Sequence, residues 1–209
     1  MIMIENQEVT GFKAAIRGMR NPKNSWSKSD TTFWPEEDIP SLGTSDLLLA
    51  STLANAGDDH GKFLRMINVS IDITAPLYWW KEMDTYKVGT VADSCSTMHK
   101  IAAKEFTVDD FSHEHLTERS MQTLRGMINL LNVYRDEFNV SGRKDDWWQM
   151  IQLLPSSYNQ RRTWQGNYQV LRHIYKARHQ HKLTEWLAFC GWIESLPYAM
   201  PLITGKDIL

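Results

Sequence analysis

The sequence predicts an α+β fold, helix-rich, with a small central sheet flanked by long helices. Three observations carry that expectation. Residues 67–74 alternate Ile67, Val69, Ile71 and Ile73 with Asn68, Ser70, Asp72 and Thr74, the period of a half-buried strand. Residues 112–138 place Leu116, Met121, Leu124, Ile128, Leu131, Tyr134 and Phe138 at mostly three- and four-residue steps, the stripe of a long helix. Shorter helical patterns fill much of the remainder, without internal repeats or low-complexity tracts.

In chain order, residues 11–20 put Phe12, Ala15, Ile16 and Met19 on one helical face, and Asn21-Pro22 stops that helix. Residues 21–43 form a long loop with Trp26, Phe33 and Trp34 as aromatic anchors; loops of this length in a domain are often functional. Thr44 or Ser45 caps a helix over 47–56, Asp46 suits its positive end, and Gly57 closes it. After the strand, Pro76 starts a helix over LYWWKEM. Residues 84–100 are polar and β-branched, hence extended or looped. Gly142 ends the long helix, Trp147 to Leu154 is helical up to Pro155, and 164–180 and 182–196 give two more helices.

The chain has 209 residues, 42% hydrophobic and 23% charged, with a net charge of -2. That is enough for one domain with its own core, expected over residues 1–209, and excludes intrinsic disorder. A near-neutral chain makes no electrostatic case for binding polymeric nucleic acid. The two cysteines, Cys95 and Cys190, form no zinc spacing and read as free thiols. The start MIMIENQEVTGF is no signal peptide, and no apolar run suits a membrane span, so a cytoplasmic protein is expected. The unusual feature is nine tryptophans, including the pairs Trp79–Trp80 and Trp147–Trp148. Those on helices suit a core or an oligomer interface; Trp26, Trp34 and Trp164 remain candidates for ligand contact.

Two constellations are chemically suggestive. Residues 84–99 gather Asp84, Thr85, Lys87, Gly89, Thr90, Asp93, Ser94, Cys95, Ser96 and His99. Hydroxyls, backbone donors and a lysine suit a phosphate, although no P-loop spacing is present; a solvated polar turn is the plainer reading. Cys95 with His99 could also be a nucleophile and base, though no third orienting group is identified. Residues 161–178 interleave Arg161, Arg162, Arg172, Lys176 and Arg178 with Trp164, Tyr168 and Tyr175. That mixture suits a nucleotide, or equally an amphipathic helix with a basic outer face. His173, His179 and His181 with Glu185 give no metal motif, so no metal site is expected.

Leu154-Pro155, Thr163, Asn167-Tyr168-Gln169, Ala177-Arg178 and Thr184-Glu185-Trp186 follow one another here in a familiar order. On these residues the C-terminal third resembles the flavin-dependent thymidylate synthases. The resemblance extends at fold level over roughly residues 45–200. It places Asn167 on the family's flavin-contacting Asn, Arg178 on the Arg that contacts deoxyuridylate, and Gln169 on the Arg of Asn-x-Arg. Upstream, Asp59-His60 stands before a helix-like stretch, as in the family. Ala75-Pro76 falls on the signature's Ser-Arg, Lys81 on its Gln, and Asp84-Thr85-Tyr86 on its Arg-His-Arg. Ser94 and Ser96 fall on the Ser and Arg of a following Ser-x-Arg. Several positive charges are therefore replaced, and each charge-assisted bond lost to a phosphate costs about 1.5–3 kcal/mol. Lys81 and Lys87 restore part of that charge.

The resemblance implies a homotetramer whose active sites draw on several chains, with FAD as cofactor and a pyrimidine deoxynucleotide as substrate. It implies dUMP methylation: reduced flavin gives a hydride, a folate gives the one-carbon unit, and no cysteine nucleophile is needed. Arg178 is then the expected catalytic residue, holding the base. Lys81, Lys87, Ser94 and Ser96 join it in binding substrate. His60, Asn167, Gln169 and His173 are the expected flavin-binding residues. Two other readings stay open: a non-catalytic nucleotide- or flavin-binding homologue, and an interaction protein using the loop 21–43.

Overall fold

β1 (Met3–Thr10) opens the chain and runs at the edge of a four-stranded antiparallel sheet of order β1-β2-β4-β3. The other strands are β2 (Asn68–Pro76), β3 (Val91–Ser94) and β4 (Asn159–Asn167). The helices are α1 (Phe12–Arg20), α2 (Thr44–Asn55), α3 (Leu77–Met83), α4 (Glu118–Ser141), α5 (Lys144–Leu153), α6 (Tyr168–Arg178) and α7 (Thr184–Glu194). This is a computed structural model, and it describes residues 1–206; residues 207–209 of the expected domain lie outside them. Among the described residues, no helix is long and apolar enough to cross a membrane. The expected α+β class holds.

β2 is the strand the alternation predicts. Val69, Ile71, Ile73 and Ala75 are buried while the residues between them are half-exposed. Two strands depart from expectation. β1 buries only Val9, so it carries no period for a sequence reading to detect. β4 takes residues 159–167, the first part of which had no expected element and the last part of which was expected to be helix. Its Gln160, Trp164 and Gly166 are buried and Arg162 on the same face is half-buried, while Arg161, Thr163 and Gln165 are exposed, so the pattern is alternating but polar. The helix there begins only at Tyr168, because Asn167 caps it. Burial of Trp164 also removes it from the candidates for ligand contact.

The chain divides into two compact units. One comprises residues 1–3, 73–85 and 93–163; the other comprises, among the described residues, 4–72, 86–92 and 164–206. In the first, α4 and α5 pack Leu124, Ile128, Leu131 and Met150 on Phe106 and Phe111. The long helix starts at Glu118, not near 112. Phe111 bridges to Tyr158 and the Ser112 N–H donates to the Ser157 carbonyl at 2.8 Å, which keeps this stretch extended until Thr117 caps the helix. Gly142, with φ of 66°, ends it as expected. In the second unit, α1, α2, α6 and α7 enclose Phe12, Ile16, Leu171, Ile174, Trp186 and Phe189.

Candidate functional site

In the second unit, α6 carries most of the expected site. Its first turn exists because the Asn167 side chain accepts the Val170 N–H at 3.1 Å. Val170, Leu171, Ile174 and Tyr175 face the core, which turns Gln169 and His173 together, one turn apart. Asp58 meets that pair. Its Oδ1 accepts from Gln169 Nε2 at 2.6 Å, and its Oδ2 lies 3.1 Å from His173 Nε2. The hydrogen bond from His173 leads the effects that hold the Asp58 carboxyl below its ordinary value, so it is ionised at neutral pH. Gln169 Oε1 is buried and has no hydrogen-bond partner among the described residues.

At the other end of α6, Arg178 Nε donates to the Tyr86 hydroxyl at 2.9 Å. Its guanidinium lies 4.8 Å above the Trp186 ring and 5.7 Å from the Tyr86 ring. Tyr86 and Trp186 touch edge to face at 6.2 Å, so each ring braces the other. The result is a guanidinium plane held in one orientation. Tyr86 reaches it from the loop 86–90, which closes through a 2.6 Å bond from Thr90 Oγ1 to the Tyr86 carbonyl. Gly89 lets that loop approach the start of α6. It has φ of 76°, and a Cβ there would sit 3.3 Å from both Asn167 Nδ2 and Val170 Cγ2. Lys87 is exposed on the same loop.

His60 stands apart from this group, in a turn after α2. It lines a cavity of about 470 Å³ with Lys23 and Lys62, walled by Met19, Leu53 and Phe63.

In the first unit, Ser96 lines a cavity of about 390 Å³ with Lys100, Lys104, Asp110, Tyr158 and Arg161. Ser96 Oγ accepts from the N–H groups of Met98 and His99, at 3.2 and 2.9 Å, which leaves its own proton to donate. Lys104 pairs with Asp110 at 2.6 Å. Burial leads the effects that push the Tyr158 phenol up, so it is a proton donor at neutral pH. Ser94 is exposed on β3 and Lys81 is exposed on α3; neither lines this cavity. Cys95 is tied down through its backbone, donating to the Arg161 carbonyl and accepting from Gln160 Nε2.

The basic stretch 161–178 sorts into different tasks. Arg162 pairs with Asp84 at 2.8 Å and stacks 4.2 Å over Trp80. Arg172 is buried, and donates to the Leu202 carbonyl at 2.9 Å and to Asn55 Oδ1 at 2.9 Å. The Tyr168 hydroxyl is spent on the Pro197 carbonyl, and that of Tyr175 on Glu194. Arg172, Tyr168 and Tyr175 thus hold the fold. The residues in the place of Arg-His-Arg also act in reverse: Asp84 and Tyr86 each receive an arginine where a cation was expected.

The structure therefore brings Gln169 and His173 together around Asp58, and Arg178 together with Tyr86 and Trp186. Asp58, Tyr86 and Trp186 were not expected site residues. Tyr86 stands at a position of the Arg-His-Arg signature and Trp186 in the matched segment 184–186, whereas Asp58 had no sequence signal. A flavin dinucleotide needs cations or free N–H groups for two phosphates. Asn167 spends its oxygen on a cap, Gln169 and His173 are turned to an ionised carboxylate, and only the unpaired Gln169 Oε1 suits a ring N–H. As a set, these residues do not fit that cofactor.

No sequence-family profile and no curated protein matches the chain. Solved structures do. Thymidylate synthase X (ThyX) from Helicobacter pylori, crystallised with FAD and dUMP, superposes with a TM-score of 0.70 at 16% identity, covering 98% of each chain. A second structure, flavin-dependent thymidylate synthase ThyX from the same organism, complexed with FAD and dUMP, gives 0.70 at 15% identity over 96% of this chain and 97% of that one. PolB of Streptomyces cacaoi, a UMP/dUMP methylase bound with 5-Br dUMP, gives 0.62 at 12% identity, covering 100% of this chain and 98% of the other. This chain carries the fold of those proteins.

Proposed function

We propose that this chain binds a pyrimidine deoxynucleotide on a thymidylate synthase X-type fold, without the flavin chemistry of that family. The observation that carries the reading is Arg178, whose guanidinium plane is held in one orientation by Tyr86 and Trp186. A fixed planar donor suits the carbonyl edge of a uracil ring. Solved neighbours of the same fold were crystallised with dUMP or a brominated dUMP. The phosphate is assigned to Lys87, exposed on the same loop as Tyr86. The unmatched Arg-His-Arg supports the absence of flavin chemistry. Calorimetric titration with dUMP tests this. The wild-type chain binds, and Arg178→Ala, with its circular dichroism unchanged, binds at least tenfold more weakly. Equal affinity in the two proteins removes Arg178 from the site.

A second reading, an active flavin-dependent synthase using folate, is favoured by the His60 cavity. Lys23 and Lys62 beside apolar walls there give an anionic cofactor a seat outside the Asn167–His173 face. The homotetramer it requires has support in α4, where Leu130 and Val133 are exposed. Flavin absorption in the purified protein, with rescue of a thymidine-requiring bacterium, selects this reading. A colourless protein that fails to rescue rejects it.

A further inference from the structure

Apart from Lys23, which lines the His60 cavity, the loop between α1 and α2 has no task in the reading above. It is tightly held. One oxygen of Asp46 accepts from Ser29 Oγ, Thr31 Oγ1 and the N–H groups of Asp30 and Thr31. The other oxygen accepts from Arg20 Nε at 2.6 Å. Thr32 and Ser41 then pair through two backbone bonds. Yet this rigid loop leaves Trp26 51%, Phe33 36% and Trp34 54% exposed. The Trp26 indole is itself oriented, its N–H donating to Asn21 Oδ1 at 2.8 Å. Large aromatics fixed in place and turned to water contribute little to stability.

What lies beside them is charged. Lys13 and Arg17 are exposed one turn apart on α1, and neither has an ion-pair partner among the described residues. Like charges at that spacing repel, and a bound anion relieves the repulsion. Both line a cavity of about 250 Å³ together with Trp26 and Phe33. Arg20 also reaches it, but is committed to Asp46. An adjoining cavity of about 370 Å³ shares Lys13 and Phe33 and adds Trp34, Glu37 and Asp38. Those two acids direct an anion toward Arg17 and away from Trp34.

We propose that α1 and the loop 21–43 form a binding site for a small planar aromatic anion, one ring bearing a phosphate or carboxylate. The ring lies against Trp26 and Phe33, and the anionic group lies between Arg17 and Lys13. The first cavity is smaller than the roughly 300–1,000 Å³ of pockets for drug-sized ligands, which favours a single ring over a larger molecule. Guanidinium and ring face together recognise such a ligand, since the charge alone is screened at an open surface.

Phenyl phosphate is the probe, added to full-length protein and followed by NMR on the Trp26 indole N–H. The expected result is a saturable shift, with phenol and inorganic phosphate each binding at least fivefold more weakly. Arg17→Gln weakens phenyl phosphate at least fivefold, and Arg178→Ala leaves it unchanged, which separates this site from the nucleotide reading. Absence of a saturable shift, equal binding of phenol, or an Arg17→Gln protein that binds as wild type overturns the proposal. A phosphotyrosine peptide binding tenfold more tightly than phenyl phosphate overturns the small-molecule assignment.

Discussion

Asp46 is the position where one substitution tests most of the reasoning about the second unit. Its side chain and that of Arg20 are 0% and 4% exposed, and they pair at 2.6 Å. The second carboxylate oxygen gathers four donors from Ser29, Asp30 and Thr31. Asp46→Asn keeps the volume and removes the charge. Its amide must either face Arg20, donor against donor, or turn its N–H₂ toward donors of the loop. Removing one partner of a buried ion pair costs about 3–5 kcal/mol. For a chain of this size each kcal/mol lowers the melting temperature by about 2–4 °C, so a fall of roughly 6–20 °C is expected. Thermal unfolding measures it, and hydrogen exchange at residues 29–31 locates it. The pH dependence has a definite sign. Burial alone pushes the Asp46 carboxyl up, but hydrogen bonds from Thr31, Ser29 and Arg20 outweigh it and hold the value below the ordinary one. Its stabilisation is therefore complete above the unfolded carboxylate value and is lost as pH falls through the lower folded one. Loss below about 0.5 kcal/mol in Asp46→Asn, or unchanged exchange at 29–31, refutes the argument.

Two further substitutions check other parts of the structure. Gly89→Ala forces a side chain into a left-handed conformation at φ of 76° and crowds Asn167 and Val170; a loss of about 1–2 kcal/mol in urea unfolding is expected, together with weaker dUMP binding. Arg172→Leu keeps an apolar stem but strips the Leu202 carbonyl and Asn55 of a donor. Asn55 is exposed and can turn to water, but the Leu202 carbonyl is buried, and an acceptor left unpaired there costs about 1–3 kcal/mol; hydrogen exchange over residues 200–206 quickens. An Arg172→Leu protein as stable as wild type removes the anchoring role assigned to that arginine.

Local pattern was enough for part of this protein. β2 was legible because alternate β-branched residues are a direct record of one buried face. Helix ends were legible where a cap or a glycine marks them, as at Gly142, and were misplaced where a long-range pairing holds the chain extended, as at Phe111 and Ser112. The order of residues from Leu154 to Trp186 was enough to name the fold that the solved structures match.

Tertiary structure decided the rest, since partners distant in sequence leave no local signal. β4 is a strand because neighbouring strands satisfy its backbone, although its side chains are largely polar. The arginines of residues 161–178 look alike in sequence. Asp84, Asn55 and Tyr86 divide them into a surface pair, a buried anchor and an oriented guanidinium. Asp46 read as a charge suited to a helix start, and became the hub of a whole loop only when the fold brought Arg20 and residues 29–31 around it. The sequence by itself determined which segments could bury a face. Which polar side chain meets which partner was determined only by the closed fold, because a hydrogen bond depends on distance in space and not along the chain.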